Sequence, residues 1–303
     1  MSLREQMLRS LPFSPSELDM LIWSAGLRYK TYYIEKRQAG KYRQVSQPTP
    51  EVKLLQRWLI KNFFHKLPIH DSACAYRNGV GLAKNVLPHA GNRFLLKIDF
   101  SNFFPSIKSA HFVEFMRRHG YNDADIDVAR MICFRRERSE LFLAIGAPSS
   151  PLISNVMMYA LDCSIAIAAK ELGVVYSRYA DDLSFSCNSP NILKRIEQLL
   201  PGMIDNHSIT PLKINSEKTV HASKKNGRNI TGLNITPDGN LSVGHDRKRL
   251  LRSQIHHYIT GRMQADEVES LRGYLAFLQS VEPMHLNRLM AKYGRSIDAL
   301  ISL

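Results

Sequence analysis

Three aspartates carry most of the chemistry this sequence can offer. Asp99 sits at the end of the apolar run Leu95-Leu96-Lys97-Ile98-Asp99-Phe100, and Asp181-Asp182 lie 82 residues downstream of it between two apolar stretches. Strand alternation sets Phe94, Leu96 and Ile98 on one face and Asp99 on the other. A carboxylate at the end of a buried strand is costly without a metal, a cation or water. The adjacent pair adds mutual repulsion. A divalent cation relieves both, and hard oxygen ligands suit Mg²⁺, with Mn²⁺ as an alternative. Two such ions, about 3.5–4 Å apart, activate an attacking oxygen and stabilise a leaving one. A bare Asp-Asp dipeptide is usually just a polar turn. Here it follows Tyr179-Ala180, is bracketed by strand-like runs, and has a strand-terminal Asp upstream.

The elements that must position these residues are mixed. A helix is predicted from about Ser16 to Ala25. Strands follow at Tyr32–Lys36 and Tyr42–Ser46 around a turn containing Ala39-Gly40. Thr49-Pro50 starts a helix carrying Val52, Leu55, Leu59 and Phe63. A buried strand spans Phe94–Phe100, with helices at Ala110–Arg118, Asp123–Phe134 and Ile153–Lys170. Val174–Tyr179 and Leu183–Cys187 form a hairpin with the acids at its tip, and a helix covers Ile192–Ile204. Short strands near Ile230–Ile235 and Leu241–Val243 precede an all-helical tail: Asp246–Thr260, Asp266–Gln279 and Met284–Lys292. That switch places a domain boundary near residue 244.

The 303-residue chain has 41 Lys+Arg against 27 Asp+Glu, a formal charge of +14. The excess suits a polyanionic partner, whose bound counterions are released when phosphates are neutralised. It is concentrated: residues 28–66 carry a local +8, residues 213–228 carry +4, and residues 245–303 carry +3. Four cysteines, Cys74, Cys133, Cys163 and Cys187, are scattered without metal-ligand spacing and read as core thiols of a reducing cytoplasm. No signal peptide or membrane-spanning run is visible, so no membrane partner is expected.

Tyr179-Ala180-Asp181-Asp182 matches the tetrapeptide of reverse transcriptases. Ile98-Asp99-Phe100-Ser101-Asn102-Phe103-Phe104-Pro105-Ser106-Ile107 resembles their first palm motif, and Gly146-Ala147-Pro148-Ser149-Ser150-Pro151 resembles the loop-to-helix motif lying between the two. Order and spacing agree from about residue 28 onward. Within the family the sequence is most similar to bacterial retron enzymes: Tyr42-Arg43-Gln44-Val45-Ser46-Gln47-Pro48 with Leu54-Leu55-Gln56 resembles their fingers segment. Asn85-Val86-Leu87-Pro88-His89 resembles their Asn-Ala-x-x-His element, and Ile230-Thr231-Gly232 their Val-Thr-Gly element. One departure is larger. The family places Gln immediately before the Gly of the middle motif, where this chain has Ile145.

The resemblance implies a mixed α/β fold of the α+β kind, a right hand. Residues 1–92 would form an N-terminal helix and part of the fingers. Residues 93–244 would form the palm, an antiparallel sheet plus helices with interleaved fingers elements, and residues 245–303 a helical thumb. It also implies RNA-directed DNA polymerase activity with two Mg²⁺ ions held by Asp99, Asp181, Asp182 and the backbone carbonyl of Phe100. Lys41 and Arg43 would clamp the triphosphate. Phe104 would pack beneath the sugar as a steric gate, and Tyr179, Ile145, Gly146 and Ala147 would border the nucleotide. Lys218 would donate a proton to the leaving pyrophosphate. Asn85 and His89, with Arg247, Lys248, Arg249 and Arg252 of the thumb, would contact RNA.

For a retron enzyme the implied partners are dNTPs, a cognate noncoding RNA (msr-msd) and its branched RNA–DNA product, primed from an RNA 2′-hydroxyl. A separate effector protein would serve anti-phage defence. The tail leaves no length for an RNase H domain, so a host RNase H is expected to act on the product. Two other readings stand beside this one: another bacterial reverse transcriptase, group II intron-like or diversity-generating, and an RNA-binding scaffold with weak or no catalysis.

Overall fold

Local signals in the sequence set most element boundaries. Ser2 and Ser14 each cap a helix through a reciprocal capping box with Glu5 and Glu17, which starts α1 (Leu3–Ser10) and α2 (Pro15–Ser24). The computed structural model describes residues 1–35 and 40–301. The predicted turn residue Ala39 and strand end Lys36 lie outside the described residues. The fingers hairpin pairs β1 (Tyr29–Glu35) with β2 (Tyr42–Pro48), and Pro50 then opens α3 (Pro50–Asn62). A short helix α4 (Leu82–Val86) leads into β3 (Phe94–Ser101). Next come α5 (Phe103–Ser106), α6 (Ser109–Arg118), α7 (Asp123–Cys133) and the small hairpin β4 (Arg135–Glu137) and β5 (Glu140–Phe142).

The single helix expected over 153–170 is two, α8 (Ser150–Met157) and α9 (Tyr159–Glu171), bent by 51°. The hairpin β6 (Val175–Tyr179) and β7 (Asp182–Cys187) follows, then α10 (Pro190–His207), β8 (Lys213–Ile214) and β9 (Val220–Ser223). A three-stranded sheet of β10 (Arg228–Ile230), β11 (Leu233–Ile235) and β12 (Leu241–Ser242) precedes α11 (His245–Ile259), α12 (Ala265–Val281), α13 (Pro283–Tyr293) and α14 (Asp298–Ile301). Among the described residues no single helix is long and apolar enough to cross a bilayer.

The central sheet is antiparallel, in the order β6-β7-β3-β8, with β9 also pairing β3. Its strand β3 is buried on both faces. Leu96, Ile98 and Phe100 enter one core with the N-terminal helices, α3, α6, α7 and α10. Leu95, on the other face, enters a second core with Val86, Ile230, Leu233, Leu251 and Leu275. The second core takes in β10 to β12 as well as the helical tail. The second core therefore draws on residues on both sides of position 244, where the element type changes.

The sheet is tied from behind by the segment around α4. His89 is fully buried, with Nδ1 2.7 Å from Ser186 Oγ and Nε2 2.8 Å from Ser177 Oγ. Ser177 Oγ donates to Asn85 Oδ1 at 2.8 Å. Both hydroxyls belong to the hairpin that carries the acidic turn. The expected RNA contact of Asn85 and His89 is corrected here. Their side chains are 1% and 0% exposed, and both ring nitrogens of His89 and the Oδ1 of Asn85 are bonded inside the protein. Burial pushes the His89 imidazole down to about 4 from its ordinary 6.5. The folded state thus holds His89 neutral, whereas the unfolded chain takes up a proton below 6.5. Stability contributed by His89 is complete above that pH and is lost as pH falls toward 4, by about 3 kcal/mol. A His89→Gln variant lacks this titration. It is expected to be less stable than the parent at pH 7.5, with a deficit that shrinks by about 3 kcal/mol at pH 4 in urea melts.

Candidate active site

The register of the central sheet brings the acids together. In the β3–β7 ladder Asp99 pairs with Asp182, and Tyr179 pairs with Asp182 across the hairpin, leaving Ala180-Asp181 as a two-residue turn. Ala180 has φ +58°, at the first central position of the turn, where glycine is usual. Asp181 is fixed to the neighbouring strand by its backbone carbonyl, which accepts from the Phe100 N–H at 3.2 Å. Phe100 is itself 1% exposed and stacked on Phe103 at 6.1 Å. Alternation in β3 and the acidic hairpin tip were both foreseeable. The ladder that joins them required the fold.

The carboxylates are unequal. Asp99 is 7% exposed and accepts from Lys218 Nζ at 2.9 and 3.1 Å and from Asn215 Nδ2 at 3.3 Å. Lys218 thus stands in an ion pair with an acid of the site, a contact the sequence reading did not foresee. Burial pushes the Asp181 carboxyl above its ordinary value, with the Asp99 charge adding to it. Burial, then the charges of Asp181 and Asp99, push Asp182 up to about 6. Among the described residues no three His, Cys, Asp or Glu side chains are grouped to hold an ion as they stand. The donor chemistry nonetheless fits a hard divalent cation: only carboxylate oxygens, on paired strands, with charges that burial and repulsion disfavour.

Beside the acids lies a cleft of about 390 Å³, lined by Phe104, Ile145, Gly146, Ala147, Tyr76 and Gln47, with Lys53 and Arg57 from α3. The Ile145 carbonyl accepts from the Ser46 N–H at 2.7 Å, which ties the loop to β2. Gly146 has φ +105°, and a Cβ there would lie 2.9 Å from Val45 Cγ1 and 3.1 Å from the Ser46 carbonyl oxygen. Phe104 is half-buried, with Tyr76 at 6.4 Å between ring centroids, and Tyr76 is equally 6.4 Å from Tyr179. Arg43 is exposed on β2, and its charge acts on both Asp181 and Tyr76. Lys41 is exposed at the start of that strand.

Among the lining residues, Gln47, Lys53, Arg57 and Tyr76 carry side chains to which the sequence assigns no role in the site. Lys53 and Arg57, one turn apart on the helix opened by Thr49-Pro50, offered the only periodic signal. Tyr76 combines a φ of +61° with 51% exposure, and nothing in its neighbourhood of sequence marks it. In the tail, Arg247 donates to the Gly232 carbonyl and Lys248 is ion-paired with Glu282. Arg247 thereby ties the tail to the β10–β11 turn, and Lys248 ties α11 to the end of α12. Arg249 and Arg252 are exposed.

The family model for reverse transcriptase (RNA-dependent DNA polymerase) matches residues 34–235. The chain is 36% identical over 287 residues to the Retron Ec83 reverse transcriptase of Escherichia coli, covering 92% of each chain. It is 31% identical over 298 residues to the Retron Ec86 reverse transcriptase of the same organism, covering 96% of this chain and 90% of the relative. Among solved structures it resembles a telomerase from Candida albicans in complex with a fragment of telomeric RNA, with TM-score 0.51 and 12% identity. That match covers 90% of this chain and 55% of the other. The apo telomerase from Candida tropicalis matches with TM-score 0.50 and 12% identity, over 91% and 58%. The chain spans little more than half the length of these two proteins, and the likeness supports the right-hand fold.

The electrostatics yield two expectations. Asp182 has a folded-state value above its unfolded value of 3.8, so the metal-free protein loses stability as pH rises from about 4 to about 6 and stays penalised above that. Asp182→Asn is expected to raise stability in EDTA at pH 7.5 by about 1–2 kcal/mol, discounted for partial solvent access. Mg²⁺ is expected to raise the parent's melting temperature and to leave the variant's nearly unchanged. Gly146→Ala is expected to force β2 and the loop apart. The KM for dNTP should rise about tenfold, equivalent to ~1.4 kcal/mol, as read by steady-state extension.

Proposed function

This chain belongs to the reverse transcriptases, and among them to the retron enzymes. From that premise we propose that it copies a structured cognate noncoding RNA, an msr-msd transcript, into DNA primed from an RNA 2′-hydroxyl. The product is a branched RNA–DNA molecule. It is an RNA-directed DNA polymerase with an RNA template as partner. The observation that carries the polymerase chemistry is the β3–β7 register, which sets Asp99 against Asp182 beside the aromatic cleft, and the retron reading is supported by the identity to the retron enzymes.

Divalent ions, Mg²⁺ by donor chemistry, would supply Lewis-acid stabilisation of the attacking and leaving oxygens when held by Asp99, Asp181, Asp182 and the Phe100 carbonyl. The protein's own residues do the rest. Lys41 and Arg43 hold the triphosphate. Phe104 packs under the sugar and disfavours a 2′-hydroxyl. Gly146 and Ala147 let backbone approach the nucleotide. Lys218 turns from Asp99 to the leaving pyrophosphate and gives it a proton. Arg249 and Arg252 take phosphates of the RNA. In the cell we place this activity in the cytoplasm, within an anti-phage defence system with a separate effector protein and with host RNase H trimming the template.

Primer extension with Mg²⁺ and dNTPs, alongside the Asp181→Asn, Asp182→Asn double variant, tests the site. The parent should extend and the variant should fall by at least about 10³-fold. Equal extension by the two refutes the assignment. Sequencing the nucleic acid that copurifies with the protein from its own host tests the product. A defined branched species supports the retron reading, and only linear cDNA contradicts it.

A further inference from the structure

Behind the acidic turn lies a charged side chain that the proposed chemistry does not use. Arg178 and Asp162 are both 0% exposed and form a two-pronged pair, Nε to Oδ1 at 2.8 Å and Nη2 to Oδ2 at 2.6 Å. Tyr176 donates its hydroxyl to the same Asp162 Oδ1 at 2.7 Å. Burying two ions this completely is seldom a gain over an apolar pair of the same volume. The remaining guanidinium nitrogen shows where it is directed. Arg178 Nη1 donates to the Ala180 carbonyl at 2.9 Å and to Asn155 Oδ1 at 3.1 Å.

Ala180 is the residue whose left-handed φ begins the turn, a conformation that crowds an alanine's Cβ against the backbone. The turn is therefore clamped on both sides. Arg178 holds the carbonyl before Asp181, and the Phe100 N–H holds the carbonyl of Asp181 itself at 3.2 Å. Asn155 extends the clamp, since its Nδ2 donates to the Ala75 carbonyl at 2.9 Å, next to the strained Tyr76 of the nucleotide cleft. The Arg178 main chain closes the loop: its N–H donates to the Ser72 carbonyl at 2.7 Å, and its carbonyl accepts from the Cys74 N–H at 2.8 Å.

We infer that Arg178, oriented by Asp162 and Asn155, is a positioning residue that fixes the turn bearing Asp181 and Asp182 and couples its placement to the Tyr76 side of the nucleotide cleft. The inference rests on the reading of Asp181 and Asp182 as catalytic acids. A guanidinium suits the task because its rigid fork saturates a carboxylate and still has a donor to spend on the backbone. Lysine has no such geometry. A shift of about 1 Å in the acids is enough to slow transfer about 100-fold.

The test is single-turnover dNTP incorporation on a primed RNA template, with thermal melting followed in parallel. Arg178→Met is combined with Asp162→Leu and Tyr176→Phe, so that no lone charge or hydroxyl is left buried. This set is expected to melt near the parent's temperature, to bind primer–template as the parent does, and to lose about 10- to 100-fold in the chemical rate. A set that melts normally and keeps the parent's rate overturns the inference. Should the set not fold, Asn155→Ala decides, because it leaves the Arg178–Asp162 pair intact. A rate lowered several-fold, with unchanged primer–template affinity, supports the coupling, and a parental rate overturns it. The Asp181→Asn, Asp182→Asn variant run alongside separates the two levels. If it polymerises normally, the acids were misassigned. If it is inactive while the Arg178 set is fully active, only the positioning inference falls.

Discussion

The structure depends on one register, the antiparallel pairing of β3 with β7 that sets Asp99 opposite Asp182. Side chains alternate faces along a strand, so a slip of one residue would turn Asp99 into the first core and take Leu96, Ile98 and Phe100 out of it. That register is overdetermined. Leu96, Ile98 and Phe100 enter one core while Leu95 enters the other, so β3 is sandwiched between apolar groups on both faces. The apolar burial that fixes the strand also lowers the local dielectric around the acids. Their repulsion and desolvation are thus consequences of the packing that places them.

The charged and polar groups behind the sheet answer a second requirement, that buried charges find partners. Arg178 meets Asp162, and His89 stays neutral between two serine hydroxyls. Arg228, 2% exposed, has no carboxylate partner among the described residues and donates to carbonyls instead, those of Ala90 at 3.1 Å and Thr236 at 3.0 Å. Those bonds link the segment after α4 to β10 and β11, within the second core. Charges held by backbone carbonyls favour one geometry, because any displacement strands a buried donor. The joint between the α4 segment and the three-stranded sheet is directional in a way that apolar contact alone would not be.

Much of this was legible in the sequence, for identifiable reasons. Strand β3, the acidic hairpin and the tail helices have strong periodicity, and their acids sit at element ends where a carboxylate needs explanation. Helix α1 carries a capping box but spans only eight residues, too short for periodicity to announce it. Asn85 and His89 were misread because a polar residue in a short helical segment looks alike whether it faces solvent or a buried serine. Burial of a polar group is decided by which distant element covers it, here the hairpin nearly a hundred residues away. The ion pair of Lys218 with Asp99 escaped for the same reason, since it spans 119 positions. Tyr76 was invisible because its position comes from backbone strain, not from pattern.

The same distinction bears on Ile145, where the sequence departs most from its family. What the fold asks of residue 145 is its carbonyl, which accepts from the Ser46 N–H at 2.7 Å and so docks the loop on the fingers strand. Any side chain leaves that bond intact. What the departure removes is a side-chain amide from the cleft wall. β2 presents an amide of its own to that cleft: Val45 and Ser46 are buried, and Gln47 is exposed and lines it together with Ile145 and Phe104. Gly146 keeps the two segments close enough for this exchange, since a Cβ there would meet Val45 and the Ser46 carbonyl. The loss within the loop and the amide across from it thus belong to one contact, and the hydrogen bond between Ser46 and Ile145 makes them neighbours.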